Sequence, residues 1–150
     1  MRKRVQPVPV QNKKIGPGAP CYIIAEAGVN HNGDLHMAHK LVDAAADCGA
    51  DAVKFQTFSA EKLVTSFAPK AAYQEAGTKA GESQLDMLRR LELSREAHLE
   101  LMNHCVERKV TFLSTPFDEA SVDFLYDIGV VAYKVGSGDL TNLPLLRHVA

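Results

Sequence analysis

The chain has 150 residues, 46% of them hydrophobic and 23% charged, which is the composition of an ordinary globular domain with one core. Its formal net charge of -1 excludes the extended basic surface that binds nucleic acid or an anionic membrane. No apolar run is long enough to cross a bilayer, and the first residues lack the apolar centre of a signal peptide. We therefore expect a cytoplasmic protein.

Residues 1–20 are predicted to form an N-terminal arm. Five basic residues and no acid occur in the first fourteen positions, together with two prolines. Because no hydrophobic partner accompanies these charges, a solvated arm or edge strand is favoured over a phosphate- or membrane-binding segment.

The three cysteines point to neither a disulfide framework nor a zinc site. Cys21, Cys48 and Cys105 are odd in number, widely spaced and free of any CxxC pair. We expect reduced and mostly buried thiols.

From Cys21 onward, short apolar segments alternate with segments of helical periodicity. The predicted strands are residues 22–26, 52–57, 110–114 and 130–135. Helices are predicted to begin at caps provided by Asp34, Ser94 and Asp118, and another begins at Thr141. The long connection 58–93 is mixed and polar, with a helix around 83–91, and connections of this length are usually functional. The alternation predicts βα units on a parallel sheet.

Four βα units make half of an eight-unit barrel, so the predicted fold is α/β, with residues 21–150 forming a partial TIM (β/α)8 barrel truncated before closure. An open doubly wound sheet is the alternative. It is disfavoured because no GxGxxG follows the first strand, and because polar residues cluster at every strand end instead of at one switch point.

Two lysines interrupt otherwise apolar strands. Alternation places Glu26 at the inward-facing end of its strand, and Lys54 and Gln56 on one face of the next. Lys134 interrupts the fourth strand. A buried ammonium costs several kcal/mol, roughly, unless a carboxylate or phosphate balances it. Structural ion pairs with Glu26 and Asp139 are the alternative to a functional site.

Polar residues follow the carboxyl ends of successive strands, where barrel active sites are built. They are Glu26, Lys54, Gln56, Ser114, Thr115, Lys134, Ser137 and Asp139. The Gly136-Ser137-Gly138 turn adds unobstructed amides that could cradle an anion, although such a turn is often only a flexible connection.

The histidines give a weaker signal for a metal. His36 and His39 lie one helical turn apart, with His31 in the preceding loop, but no third ligand accompanies them and their helix lies outside the barrel. His98, His104 and His148 are interpreted as helix-surface residues.

Four segments together resemble the N-acetylneuraminate (sialic acid) synthase family in order and spacing. They are IIAEAGVNHNG at 23–33, VKFQTF at 53–58, FLSTPFD at 112–118 and YKVGSGDLTNLPLL at 133–146. The resemblance also includes QLDMLRRLELS at 84–94 and covers the chain from about Cys21 to its last residue.

The resemblance implies condensation of phosphoenolpyruvate with the open-chain aldehyde of N-acetylmannosamine or a related amino sugar. Cleavage of the C–O bond would release phosphate and give a nine-carbon 2-keto acid. The implied catalytic residues are Glu26, Lys54, Lys134 and Asp139, with Lys54 and Lys134 holding the phosphate and carboxylate of phosphoenolpyruvate. The implied substrate-binding residues are Gln56, Ser114, Thr115, Gly136, Ser137 and Gly138.

The family also needs a divalent metal, Mn²⁺ or Mg²⁺, to polarise the aldehyde. Its histidine ligands are expected beyond Ala150, so no metal ligand is assigned to this chain. A homodimer is expected for the complete enzyme, whereas this chain alone is expected to be inactive and to expose a sheet edge. Synthases for neuraminic, legionaminic and related acids share these motifs, so the sugar stays open.

Two other functions compete with this interpretation. A Schiff-base aldolase would use Lys54 or Lys134 to attack a carbonyl, and borohydride with pyruvate would trap it. A non-catalytic truncated module would bind phosphoenolpyruvate without releasing phosphate.

Overall fold

The computed structural model describes residues 5–66, 68 and 82–150. An antiparallel hairpin of β1 (Val8–Val10) and β2 (Lys13–Ile15) precedes a parallel sheet in the spatial order β3 (Ile24–Gly28), β4 (Ala52–Thr57) and β5 (Thr111–Pro116). The helices are α1 (Leu35–Asp47), α2 (Ala60–Leu63), α3 (Gln84–Arg89), α4 (Arg95–Glu107), α5 (Glu119–Asp127) and α6 (Leu143–Val149), with a 3-10 turn at Ser137–Asp139. None of the helices in this described part has the length and apolar character needed to span a membrane.

The core lies between the sheet and the helices α1, α4 and α5. Val53 and Phe55 of β4 point into it, and the Phe55 ring stacks on Phe112 of β5 at 5.6 Å between centroids. Leu101 of α4 and Leu125 of α5 complete this cluster and are fully buried. Because side chains alternate along a strand, the residues between these positions face the other side of the sheet, and that face carries the candidate site.

The predicted helix caps are confirmed. The Asp34 carboxylate accepts hydrogen bonds from the backbone amides of His36 and Met37, and the Ser94 and Asp118 side chains accept from those of Ala97 and Ser121. Each cap satisfies amides that have no intrahelical partner, an effect of about 1 kcal/mol. Local sequence therefore sets where these three helices begin.

The basic N-terminal segment forms an edge hairpin at the amino end of the sheet. Lys13 of β2 pairs with Asp51, which directly precedes β4, and the Thr111 hydroxyl donates to Gln11 Oε1 at 2.9 Å. The hairpin is a separate two-stranded sheet beside the parallel one, so the predicted edge strand is present only as part of a hairpin, and the arm over residues 1–20 stays a prediction. The hairpin lies at the opposite end of the strands from the candidate site.

The connection after β4 packs around its own small core. Phe58, Ala60, Met87 and Leu88 are buried together, which joins α2 to α3. The helix predicted around 83–91 is confirmed as α3. Within the predicted connection, residues 67 and 69–81 lie outside the described residues, so its functional role stays a prediction.

The predicted fourth strand, residues 130–135, does not form a regular strand. It makes one isolated bridge, between Ser114 and Tyr133, and the Lys134 amide donates to the Ser114 carbonyl oxygen at 3.5 Å. Among the described residues this segment lies next to β5 without forming a continuous ladder with it. The α/β class and the parallel sheet are confirmed, with three strands in place of the predicted four.

The expectation of mostly buried cysteines is wrong. Cys21 and Cys48 are free and exposed, because one precedes an edge strand and the other ends α1 at the surface. Cys105 is free and buried in the core, and burial raises the pKa of its thiol to about 12.

Candidate active site

A buried lysine occupies the centre of the face opposite the helices. Lys54 Nζ lies 2.6 Å from Glu26 Oε2, and the Lys54 side chain is 7% exposed whereas that of Glu26 is 56% exposed. Nζ also lies 3.5 Å from Thr115 Oγ1. The ion pair that the sequence allowed between Glu26 and Lys54 is therefore present. Because the carboxylate is half solvated, it can turn to water when another anion approaches the ammonium.

The parallel register explains why these side chains meet. Glu26 pairs with Lys54 across β3 and β4, and Gln56 pairs with Thr115 across β4 and β5. Paired residues of a parallel sheet point to the same face, so four polar residues converge near the carboxyl ends of three strands. The backbone is irregular between Glu26 and Gly28, where β3 ends.

Gly28 keeps the space between Glu26 and Gln56 open. Its φ is +53°, and a methyl group there would lie 3.1 Å from Glu26 Oε1 and 3.5 Å from Gln56 Nε2. A left-handed residue without a side chain is therefore suited to this position. It allows a carboxylate and an amide to approach the same small volume beside Lys54.

Asp139 approaches the site from the turn after residues 130–135. A methyl group on Gly136 would lie 3.0 Å from Asp139 Oδ2 and 3.9 Å from Thr115 Cγ2. The Asp139 amide donates to the Gly136 carbonyl at 3.1 Å, and the Asn142 side chain donates to Asp139 Oδ1 at 3.3 Å. The carboxylate thus lies over a buried glycine on the Thr115 side of the site.

Lys134, Ser137 and Gly138 are exposed at the margin of this face. The alternative of a structural ion pair between Lys134 and Asp139 is not observed, since the Lys134 ammonium has no ion-pair partner within residues 5–66, 68 and 82–150. Its segment contacts β5 through one isolated bridge at Tyr133 and is not held in a regular strand. Its ammonium is free to bind an anion that also contacts the turn.

Ser114 lies on the other face of the sheet. It is fully buried, and its Oγ lies 2.6 Å from Thr57 Oγ1 on the helix side, on the same face as Phe112. Its hydroxyl therefore points away from Lys54, unlike that of the neighbouring Thr115. This placement gives the Ser114 side chain a structural contact in place of the predicted contact with substrate.

The sequence analysis did not identify His98 as a buried polar residue. It is 1% exposed, and burial lowers the pKa of its imidazole. Its position three residues before Leu101 and seven before Cys105 places it on the buried stripe of α4, so helical periodicity could have identified it. The interpretation of His98 as a helix-surface residue is therefore wrong, whereas His104 and His148 are partly exposed and each bonds an aspartate.

His31 is a second fully buried histidine, in the loop after β3. The Gly33 amide donates to its Nδ1 at 3.0 Å, and its Nε2 has no hydrogen-bond partner among the described residues. Burial, and to a smaller extent the nearby His98, lower the pKa of His31. The described residues contain no group of three or more histidine, cysteine or acidic side chains that could hold a metal.

The site thus combines a buried ammonium, a carboxylate, an amide and a hydroxyl on one sheet face with a second carboxylate from the glycine-rich turn beside it. A sequence profile of the NeuB family matches residues 41–150, more than two thirds of the chain. The chain belongs to the NeuB family. Lys54, Thr115, Lys134 and Asp139 all lie within the matched range.

Several curated relatives of this NeuB chain are named as sugar-acid synthases. It is 53% identical to an N,N'-diacetyllegionaminic acid synthase of Campylobacter jejuni over 128 residues, covering 85% of this chain and 38% of that protein. It is 50% identical to the enzyme of the same name in Legionella pneumophila over 138 residues, covering 92% and 39%. The chain therefore spans about two fifths of the length of these relatives.

A solved structure supports the same family at the level of the fold. The N-acetylneuraminic acid synthetase of Leptospira borgpetersenii matches with a TM-score of 0.80 at 34% identity, covering 95% of this chain and 45% of that one. The α/β arrangement described above is thus similar to that of a sialic acid synthase.

Proposed function

We propose that this chain supplies part of the active site of a synthase that condenses phosphoenolpyruvate with an N-acetylated amino sugar. The observation that carries the proposal is the Lys54 ammonium, which is buried with a half-exposed carboxylate as its partner. It lies on the sheet face opposite the helices, called the open face below. A small anion can replace that carboxylate without leaving a buried charge unpaired. The family and its synthase relatives support a sugar-acid synthase.

Phosphoenolpyruvate carries a phosphate and a carboxylate, and the site offers two lysines. We assign Lys54 and Lys134 to these two groups, assisted by Ser137 and the backbone of Gly136 and Gly138. Gln56 and Thr115 would position the enol. Each of these assignments uses a side chain or amide that lies on or beside the open face.

The reaction joins the methylene carbon of phosphoenolpyruvate to the aldehyde carbon of the sugar. Water adds at the enol carbon that carries the phosphate, the C–O bond to phosphate then breaks, and a 2-keto acid and inorganic phosphate remain. We assign Asp139 to proton transfer during water addition, and Glu26 to a hydrogen bond with a sugar hydroxyl once an anion has taken its place on Lys54.

A divalent metal, Mn²⁺ or Mg²⁺, belongs to the proposal for the complete polypeptide. The described residues do not fit such a site by themselves, because they contain no group of three suitable ligands and the Glu26 carboxylate is engaged with Lys54. Later strands of a full (β/α)8 barrel would supply the ligands. We further propose that the complete enzyme is a cytoplasmic homodimer and that these 150 residues alone are inactive.

The two relatives at 53% and 50% identity both make N,N'-diacetyllegionaminic acid, according to their names. This favours a diacetylated amino sugar over N-acetylmannosamine as the aldehyde. Supplied with phosphoenolpyruvate, Mn²⁺ and either sugar, the complete polypeptide that carries this sequence should form keto acid and phosphate in equal amounts. The rate should be higher with the diacetylated sugar.

Equal or faster turnover of N-acetylmannosamine would contradict the sugar assignment only. Absence of phosphate release with every acetylated amino sugar would contradict the proposed function. Lys54 is poorly suited to the aldolase alternative, since attack on a carbonyl needs a lone pair on Nζ, and Lys54 Nζ is engaged with the Glu26 carboxylate. Borohydride trapping with pyruvate tests the same chemistry at Lys134.

A further inference from the structure

A series of three hydrogen bonds runs from the start of helix α4 to strands β4 and β5 behind the candidate site. His98 Nδ1 lies 2.8 Å from the Ser94 carbonyl oxygen, and His98 Nε2 lies 2.8 Å from Thr57 Oγ1. Thr57 Oγ1 in turn lies 2.6 Å from Ser114 Oγ. His98, Thr57 and Ser114 are all buried. We name these three side chains the His98 chain.

The direction of every hydrogen bond in the His98 chain follows from its first member. A carbonyl oxygen only accepts, so His98 Nδ1 carries the proton and donates to Ser94. Burial keeps the imidazole neutral, because it lowers the pKa of His98, and Nε2 is therefore an acceptor. Thr57 must donate to Nε2, and Ser114 must then donate to Thr57 Oγ1. Each hydroxyl thus has a single role.

The His98 chain has direct neighbours on the other face of the sheet. Gln56 precedes Thr57 in β4, and Thr115 follows Ser114 in β5; the two are paired in the register. Because consecutive side chains point to opposite faces, holding Thr57 and Ser114 from the helix side fixes the backbone from which Gln56 and Thr115 project. Thr115 is also the hydroxyl that lies 3.5 Å from Lys54 Nζ.

We propose that His98 is a positioning residue for the phosphoenolpyruvate site: through Thr57 and Ser114 it anchors the carboxyl ends of β4 and β5 against α4, and with them the placement of Gln56 and Thr115. This inference rests on the proposed function for the ligand, but the positioning itself is a property of the fold. His98 touches no reacting atom and acts through other residues.

The test compares His98→Leu and His98→Gln in the complete polypeptide. Leucine fills the space but cannot accept a hydrogen bond from the Thr57 hydroxyl, so the two strand ends lose their link to α4. Glutamine places an amide oxygen near the position of His98 Nε2, where it can accept the hydrogen bond from Thr57. His98→Leu should raise KM for phosphoenolpyruvate about tenfold with little change in KM for the sugar, and His98→Gln should restore most of this loss.

Val42→Ala is the matched control for general destabilisation. Val42 of α1 is fully buried in the hydrophobic core. Its side chain is apolar and therefore forms no hydrogen bond with the His98 chain. The control should lower the melting temperature while leaving KM for phosphoenolpyruvate unchanged. An equal rise in KM for Val42→Ala and His98→Leu, or an unchanged KM in His98→Leu, would overturn the proposal.

Hydrogen exchange separates the positioning from the proposed function. In His98→Leu the backbone amides of Gln56 and Thr115 should exchange faster than in Val42→Ala, whether or not the protein turns over phosphoenolpyruvate. Faster exchange in His98→Leu, together with no synthase activity in the unsubstituted protein, would support positioning and contradict the proposed function. Unchanged exchange at both amides would sink positioning, whatever the activity.

Discussion

Replacing Lys54 with methionine should lower kcat/KM for phosphoenolpyruvate by about 10²- to 10³-fold. Removing one partner of a desolvated charge pair costs about 2–5 kcal/mol, and each 1.4 kcal/mol is about a factor of ten. Methionine retains the length of the side chain and leaves the Glu26 carboxylate half exposed, so the free energy of unfolding should change little. Steady-state kinetics with varied phosphoenolpyruvate measures the effect.

Lys14→Met is the matched control, because Lys14 is an exposed lysine of β2 at the other end of the sheet. It removes the same charge from the protein without touching the open face. If the two variants had the same kcat/KM, the assignment of Lys54 to the phosphoenolpyruvate anion would be wrong, and the Glu26–Lys54 pair would be structural.

A second large effect is expected on stability. Gly33 has a φ of +78°, and a methyl group there would lie 2.1 Å from the carbonyl oxygen of Arg90, which caps α3. Gly33→Ala therefore combines left-handed strain of about 1–2 kcal/mol with a backbone collision worth about 1–3 kcal/mol. The free energy of unfolding should fall by about 2–5 kcal/mol, measured by urea denaturation.

Gly49→Ala provides the control for strain alone. Gly49 has a similar φ of +74°, but a methyl group there would meet nothing within 4 Å. It should cost only about 1–2 kcal/mol. Equal unfolding midpoints for the two variants would contradict the close packing of the loop after β3 against the end of α3.

Local signals made much of the fold predictable. Asp34, Ser94 and Asp118 were identified as caps because a cap needs only its own side chain and the next three amides. The parallel sheet followed from the alternation of short apolar runs with amphipathic helices. The absence of a regular strand at 130–135 could not be predicted in this way, because a ladder depends on pairing with a neighbouring strand that local sequence does not reveal.

The candidate site was predictable by position but not in every orientation. Glu26, Lys54 and Thr115 meet on one face, as strand alternation and order along a parallel sheet allow. Ser114 was grouped with them because it also lies near a strand end, although alternation from the buried Phe112 would have placed it on the helix face. The burial of His98 was not predicted because histidine is usually assigned to the surface. Its hydrogen-bonded neighbours Thr57 and Ser114 also lie far away in sequence.

The most direct test of the proposed condensation follows the oxygen that bridges carbon and phosphorus in phosphoenolpyruvate. The complete polypeptide is supplied with phosphoenolpyruvate that carries a heavy oxygen isotope at this bridge, together with the amino sugar, and both products are analysed by mass spectrometry. Water addition and C–O cleavage on the open face of the sheet predict the label in inorganic phosphate and none in the keto acid. Label retained in the keto acid, or release of labelled phosphate without any sugar product, would contradict the account.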